Sequence, residues 1–89
     1  MNKLKIKKLK QIFSALDNEK RLKVIELCSG KGHTVTELSK LLNLNYSITV
    51  EYTGMLEKAN LVKKERNPNK TVTVKSLIKI SGDGEIRKV

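Results

Sequence analysis

Two clusters of cations hold the most conspicuous chemistry in this sequence. Residues 1–10 carry Lys3, Lys5, Lys7, Lys8 and Lys10 and no acid. Residues 63–79 carry Lys63, Lys64, Arg66, Lys70, Lys75 and Lys79 against one acid, Glu65. The stretches 11–62 and 80–89 balance, so the whole net charge of +10 on 89 residues lives in the two patches. Such patches attract a polyanion. Other chemistry is sparse. The soft metal ligands are Cys28 and His33 alone, whereas a zinc site wants four ligands, or three plus water. Cys28 is expected as a buried core thiol on an apolar helix face, and His33 as an exposed imidazole in a glycine loop. There is a single His, no Gly-rich phosphate loop and no Ser/His/Asp arrangement, so neither an enzyme, a cofactor nor a bound metal is expected. One cysteine cannot form an internal disulfide, which suits a reducing compartment. No apolar run approaches the ~20 residues of a membrane span. No continuous apolar stretch follows the basic segment Met1 to Lys10, so no secretory signal is expected and the chain reads as cytoplasmic.

Local elements must position these groups. Ile6, Leu9, Ile12, Phe13 and Leu16 recur at helical spacing and predict a first helix from about Lys3 to Ala15. Asp17 is expected to cap a second helix, whose broad apolar face is Leu22, Val24, Ile25, Leu27 and Cys28 and which ends near Ser29-Gly30. Thr34-Val35-Thr36-Glu37 is a capping box, with Thr at the cap and Glu three residues on. It opens a short third helix, about Val35 to Leu41, lined by Val35, Leu38, Leu41 and Leu42. Leu42-Asn43-Leu44-Asn45 makes a turn, and Asn45 caps a fourth helix, roughly Tyr46 to Ala59. Asn60 is suited to the left-handed residue that often ends a helix.

The period then changes. Leu61 to Arg66 predicts a strand, Asn67-Pro68-Asn69 a turn, and Thr71 to Lys75 a second strand alternating β-branched residues. Arg66, Asn67, Asn69 and Lys70 fall at the tip of this hairpin. In the tail, Leu77 to Ile80, Ser81-Gly82-Asp83-Gly84 and Glu85 to Val89 read as strand, turn and strand, or as a short terminal helix. Two glycines would cost such a helix about 1 kcal/mol each, which favours β.

Helix, helix, short helix, turn, helix and basic hairpin is the order of a winged helix-turn-helix: α+β, mostly α, four helices plus a β-hairpin wing, with an extra C-terminal β-hairpin as the favoured tail. A single domain over residues 1–89 is expected, with 1–16 the N-terminal helix, 34–59 the helix-turn-helix and 61–76 the wing. The sequence also resembles the arsenic-repressor-like (ArsR-like) regulators. The likeness runs through Ile12-Phe13-Ser14-Ala15-Leu16-Asp17-Asn18-Glu19-Lys20-Arg21-Leu22-Lys23-Val24-Ile25-Glu26-Leu27, through Thr34 to Leu42, and closes on Met55-Leu56-Glu57-Lys58-Ala59-Asn60-Leu61-Val62. It departs from that pattern at Asn60, where the family usually has Gly, at Thr49 and Thr53, which are commonly apolar, and in lacking the paired-cysteine metal motif of the third helix.

The resemblance implies a double-stranded DNA-binding transcription regulator with the fourth helix in the major groove. Residue type and position make Asn45, Tyr46, Ser47, Ile48, Val50 and Glu51 the candidates for base edges. Asn45, Tyr46 and Ser47 can hydrogen-bond bases or phosphates. Ile48 and Val50 can touch thymine methyls if they point outward, Glu51 can accept from cytosine, and Gly54 would allow close backbone approach. Tyr52 is expected to pack inward. From Tyr46 to Glu57 there is no Lys or Arg, so affinity is expected to come mainly from the two cationic patches. Lys63, Lys64, Arg66, Asn67, Asn69 and Lys70 of the wing are candidates for the phosphate backbone or minor groove, and Thr34 and Thr36 for a phosphate at the start of the third helix. The apolar stripe Ile6, Leu9, Ile12 and Phe13 is a candidate homodimer contact. Two other readings remain open from the residues: a winged-helix protein-interaction module, and a non-specific architectural or RNA-binding protein.

Overall fold

The computed structural model describes residues 3–80 and 84–88. Helix α1 spans Lys3–Leu16 and α2 spans Glu19–Cys28. The two-residue strand β1, His33–Thr34, leads into α3, Val35–Leu41, and then α4, Tyr46–Lys58. Strands β2, Val62–Arg66, and β3, Val72–Ser76, form the wing, and β4, Ile78–Ile80, pairs with β5, Ile86–Lys88. The fold is therefore four helices with an antiparallel wing. The tail takes the strand alternative, with Ile80 opposite Ile86; the Ser81-Gly82-Asp83 part of its expected turn lies outside the described residues.

Caps decide where the helices begin. Asn18, not Asp17, caps α2: its backbone is extended and its Oδ1 accepts from the amides of Lys20 at 2.9 Å and Arg21 at 3.1 Å. Asp17 sits one residue too early, its amide turned back to the Ser14 carbonyl at 3.3 Å. Both halves of the α3 capping box form, with Glu37 N–H donating to Thr34 Oγ1 at 3.1 Å and Thr34 N–H to Glu37 Oε1 at 3.0 Å. Asn45 Oδ1 accepts from Ile48 N–H at 2.8 Å to start α4.

The helix ends rely on asparagine. Asn43 (φ 54°) follows α3 and Asn60 (φ 60°) follows α4. After each, the amide two residues past the cap reaches back one full turn: Leu44 to the Ser39 carbonyl and Leu61 to the Leu56 carbonyl, both at 2.9 Å. These are paired closures around a left-handed residue, and they explain how Asn60 replaces a glycine. Lys20 Nζ donates to the Leu42 carbonyl at 2.8 Å and ties the α3–α4 turn to α2.

The core joins Val24, Ile25 and Cys28 of α2 to Val35, Leu38 and Leu42, to Leu56 and Ala59, and to Leu61, Val62 and Val74. Leu22 and Leu41, expected inward, are exposed. Val35, Leu38 and Leu42 form the buried stripe, and Leu41 lies about 90° off it at 100° per residue. Thr49 and Thr53 are fully buried. Their hydroxyls donate to the carbonyls four residues back, Asn45 and Thr49, each at 2.9 Å, so the polar atoms enter the core already satisfied.

Arg21 is buried too, and residue-type reasoning did not single it out. Its Nε donates to the Ala15 carbonyl at 2.7 Å and its Nη2 to the Ser14 carbonyl at 3.1 Å. The guanidinium lies 5.0 Å from the centre of the Tyr52 ring. It thus closes the negative end of α1 and fixes α1, α2 and α4 to one another. The available signal was its spacing, since Arg21 stands three, four and seven residues before Val24, Ile25 and Cys28 on the inward stripe.

Strand β1 has no counterpart in the sequence reading, because two residues carry no periodicity. It pairs with β3, giving the order β1-β3-β2. That pairing anchors the wing to the start of α3.

Candidate nucleic-acid interface

Helix α4 turns Thr49, Thr53 and Leu56 inward. What remains outside is Tyr46 (55% exposed), Ser47, Val50 (40%), Glu51 and Glu57, with Lys58 at the far end. Ile48 and Tyr52 are half-buried. The six expected base-reading candidates thus separate. Tyr46, Ser47, Val50 and Glu51 share the open face; Ile48 is half covered; Asn45 is exposed, but its Oδ1 is committed to the cap. A Cβ placed on Gly54 would meet no heavy atom within 4 Å, so packing inside the chain does not require glycine there.

Strand alternation divides the wing into two faces. Lys64 and Arg66 lie on the face of Val62, Val72 and Val74, with Lys64 opposite Val74 and Arg66 opposite Val72. Towards the base of the wing this face is core. Towards the tip, Lys64, Arg66 and Val72 line a cleft whose other wall is Tyr46, Val50 and Glu57 of α4, with Val35 also contributing. The opposite face carries Lys63 directly across from Lys75, a like-charge pair. Glu65 lies between them, 3.3 Å from Lys63 Nζ and 3.6 Å from Lys75 Nζ. The bond from Lys63 and the charge of Lys75 lower the pKa of the Glu65 carboxyl, which favours its charged, neutralising form.

The wing tip is held by its asparagines. Asn67 Nδ2 donates to Thr71 Oγ1 at 2.9 Å and to Thr73 Oγ1 at 2.8 Å, and Asn69 Oδ1 accepts from Thr71 Oγ1 at 2.7 Å. The left-handed residue of the turn is Lys70 (φ 68°), rather than an asparagine. The expected wing set therefore sorts by task. Lys64 and Arg66 face the cleft, Lys63 is paired with Glu65, Asn67 and Asn69 build the tip, and Lys70 is presented by it.

At the start of α3, Thr36 is exposed, while Thr34 is occupied by the capping box. The bonds from Thr34 lower the pKa of Glu37, which places a carboxylate where a phosphate was expected. In the N-terminal patch, Lys8 Nζ donates to the Lys58 carbonyl at 3.4 Å, near the end of α4; Lys7 and Lys10 are exposed. Of the α1 stripe, Ile6, Leu9 and Phe13 are open, Phe13 at 64%, and Ile12 packs partly on the core.

Cys28 is 2% exposed and burial pushes its thiol pKa up to about 11. His33 is not the exposed loop residue expected: β1 pairs it with Val74 and leaves its side chain 19% exposed. Its Nδ1 lies 3.8 Å from Glu37 Oε2, without a hydrogen bond. Among the described residues no three His, Cys, Asp or Glu side chains gather as a metal site. No described helix is long and apolar enough to cross a membrane.

Comparison with known proteins agrees with this architecture. A family model described as winged helix-turn-helix matches residues 19–78. Among solved structures, HlyU from Vibrio cholerae N16961 superposes with a TM-score of 0.74 at 26% identity, over 85% of this chain and 80% of that one. NolR from Sinorhizobium fredii shares the fold with a TM-score of 0.74 at 23% identity, over 85% and 78% of the two chains. A transcriptional regulator, HlyU from Vibrio vulnificus CMCP6, shares it with a TM-score of 0.68 at 23% identity, over 82% and 75%. A search of curated proteins by sequence finds no match. The matched segment runs from the start of α2 through the wing into β4, most of the chain, and the protein belongs to the winged helix-turn-helix family.

Proposed function

We propose that this protein is a sequence-specific, double-stranded DNA-binding transcription regulator of the ArsR-like type, acting as a homodimer and not as an enzyme. The observation that carries the reading is the cleft between α4 and the wing. One wall offers Lys64 and Arg66, and the other offers Tyr46, Val50 and Glu57, with Ser47 and Glu51 exposed on α4 beside it. A helix of this kind fits the major groove, about 12 Å wide, while cations beside it fit the flanking phosphates. The contacts assigned are Tyr46, Ser47, Val50 and Glu51 to base edges, and Lys64, Arg66 and Lys70 to the backbone, with Asn45 and Thr36 at the margin.

The ArsR-like assignment rests on the sequence resemblance at residues 12–27, 34–42 and 55–62. The dimer rests on α1, where Ile6, Leu9 and Phe13 form an open apolar stripe on a helix already packed through Ala15. Two copies joined there would present two α4 helices to two half-sites.

Duplex binding measured across salt tests the reading. If roughly six to ten phosphates are neutralised, affinity falls about 10³–10⁵-fold between 50 and 200 mM salt. A flat response contradicts the assignment of the cations. A sedimentation mass of one chain at micromolar concentration contradicts the dimer.

A further inference from the structure

We propose that α4 reads thymine through its 5-methyl group, with Val50 as the contacting residue and Tyr46 beside it. The inference rests on the DNA-binding reading above and specifies what that site recognises.

The open face of α4 determines which base edges it can match. Guanine shows two acceptors in the major groove, N7 and O6, and its commonest partner is a cationic fork. Residues 46–57 contain no Lys or Arg, and the cations across the cleft belong to the wing, which suits phosphates. Thymine is the one base with an apolar group in that groove. Val50 is 40% exposed and Tyr46, one turn earlier, is 55% exposed. Ile48, an equal candidate by residue type, is half-buried. Glu51, next to Val50 and exposed, is an acceptor and matches the amino group of adenine N6 or cytosine N4. Gly54 follows Val50 by one turn, and a Cβ there would touch nothing in the chain. Its absence lets the backbone lie closer to whatever covers this face.

The test begins with selection of duplexes from a randomised pool. In the most enriched duplex, each thymine is replaced singly by deoxyuridine, which deletes the methyl and keeps the hydrogen-bonding edge. At one thymine in each half-site the wild type is expected to lose about fourfold in affinity per methyl, the value of one buried CH₂. Val50→Ala is expected to bind more weakly and to lose that sensitivity at the same thymine. Circular dichroism checks that this exposed helix position still folds. An enriched motif without thymine overturns the proposal, as does unchanged wild-type affinity for every uracil duplex, or a full uracil penalty in Val50→Ala at every position. In those cases sequence-specific binding stands and only the thymine assignment fails. No enriched motif at all removes both.

Discussion

The wing and α4 face one cleft with opposite chemistry. The wing wall brings Lys64 and Arg66, while the α4 wall brings Tyr46, Val50 and Glu57 and no cation. Backbone phosphates are the same at every position, so a cationic wing supplies attraction without sequence information. An apolar and acceptor-bearing helix set in the major groove would supply discrimination and little attraction. On the proposed DNA-binding reading, the difference between the walls would assign strength of binding to one element and choice of sequence to the other.

The largest effect should come from separating the two copies that would present this cleft twice. Phe13→Glu places a charge in the open α1 stripe. Sedimentation should then give the mass of one chain. Affinity for an inverted repeat should drop about 10²–10⁴-fold, because the second half-site is no longer bound intramolecularly, while an isolated half-site is bound as before. Equal losses on both duplexes would mean that Phe13 acts on the fold of one copy.

Neutralising the wing wall comes next. Counterion release of about 0.9 per phosphate makes each contact worth about fivefold at 0.15 M salt, so Lys64→Ala with Arg66→Ala should cost about 30-fold and flatten the salt slope by about two. The order of preference among sequences should not move. A changed preference would break the division between the walls.

Glu65→Gln sharpens the comparison from the other side. It removes the carboxylate that holds Lys63 and Lys75, so binding should strengthen by up to about fivefold per lysine released, with a steeper salt slope and the same preferred sequence. A weaker variant that also melts earlier would show that Glu65 serves the hairpin rather than its charge.

The smallest effect has opposite signs in two measurements. Lys70 holds φ 68° at the tip, a conformation costing a non-glycine residue roughly 1–2 kcal/mol. Lys70→Gly should raise the melting temperature and, by losing one wing charge, lower the salt slope by about one. Loss of stability would remove the claim of strain at the tip.

What the sequence discloses follows the range of the interaction. Thr34 with Glu37, Asn45, and Asn60 are legible because a cap is settled within four residues. Asn18 was missed in favour of Asp17 because both residue types cap helices and only the backbone path chooses between them. Strand β1 and the half-burial of His33 depend on pairing with Val74, far along the chain. The two faces of the wing were latent in the alternation of residues 62–66, but Glu65 between Lys63 and Lys75 appears only once the register with β3 is known. Charge counting alone treats Lys63 and Lys64 as equals; the structure puts them on opposite faces. Ile48 and Val50 were likewise equal by type, and the burial of Thr49 and Thr53 leaves Val50 the more open of the two.

The division of labour between α4 and the wing is tested most directly by one selection experiment. Wild type and the Lys64→Ala, Arg66→Ala variant are each used to retain duplexes from the same randomised pool at about 0.15 M salt, near physiological screening. The expected result is one inverted repeat enriched by both proteins, with much less DNA retained by the variant. Absence of a motif from the wild type, or a different motif from the variant, would contradict it.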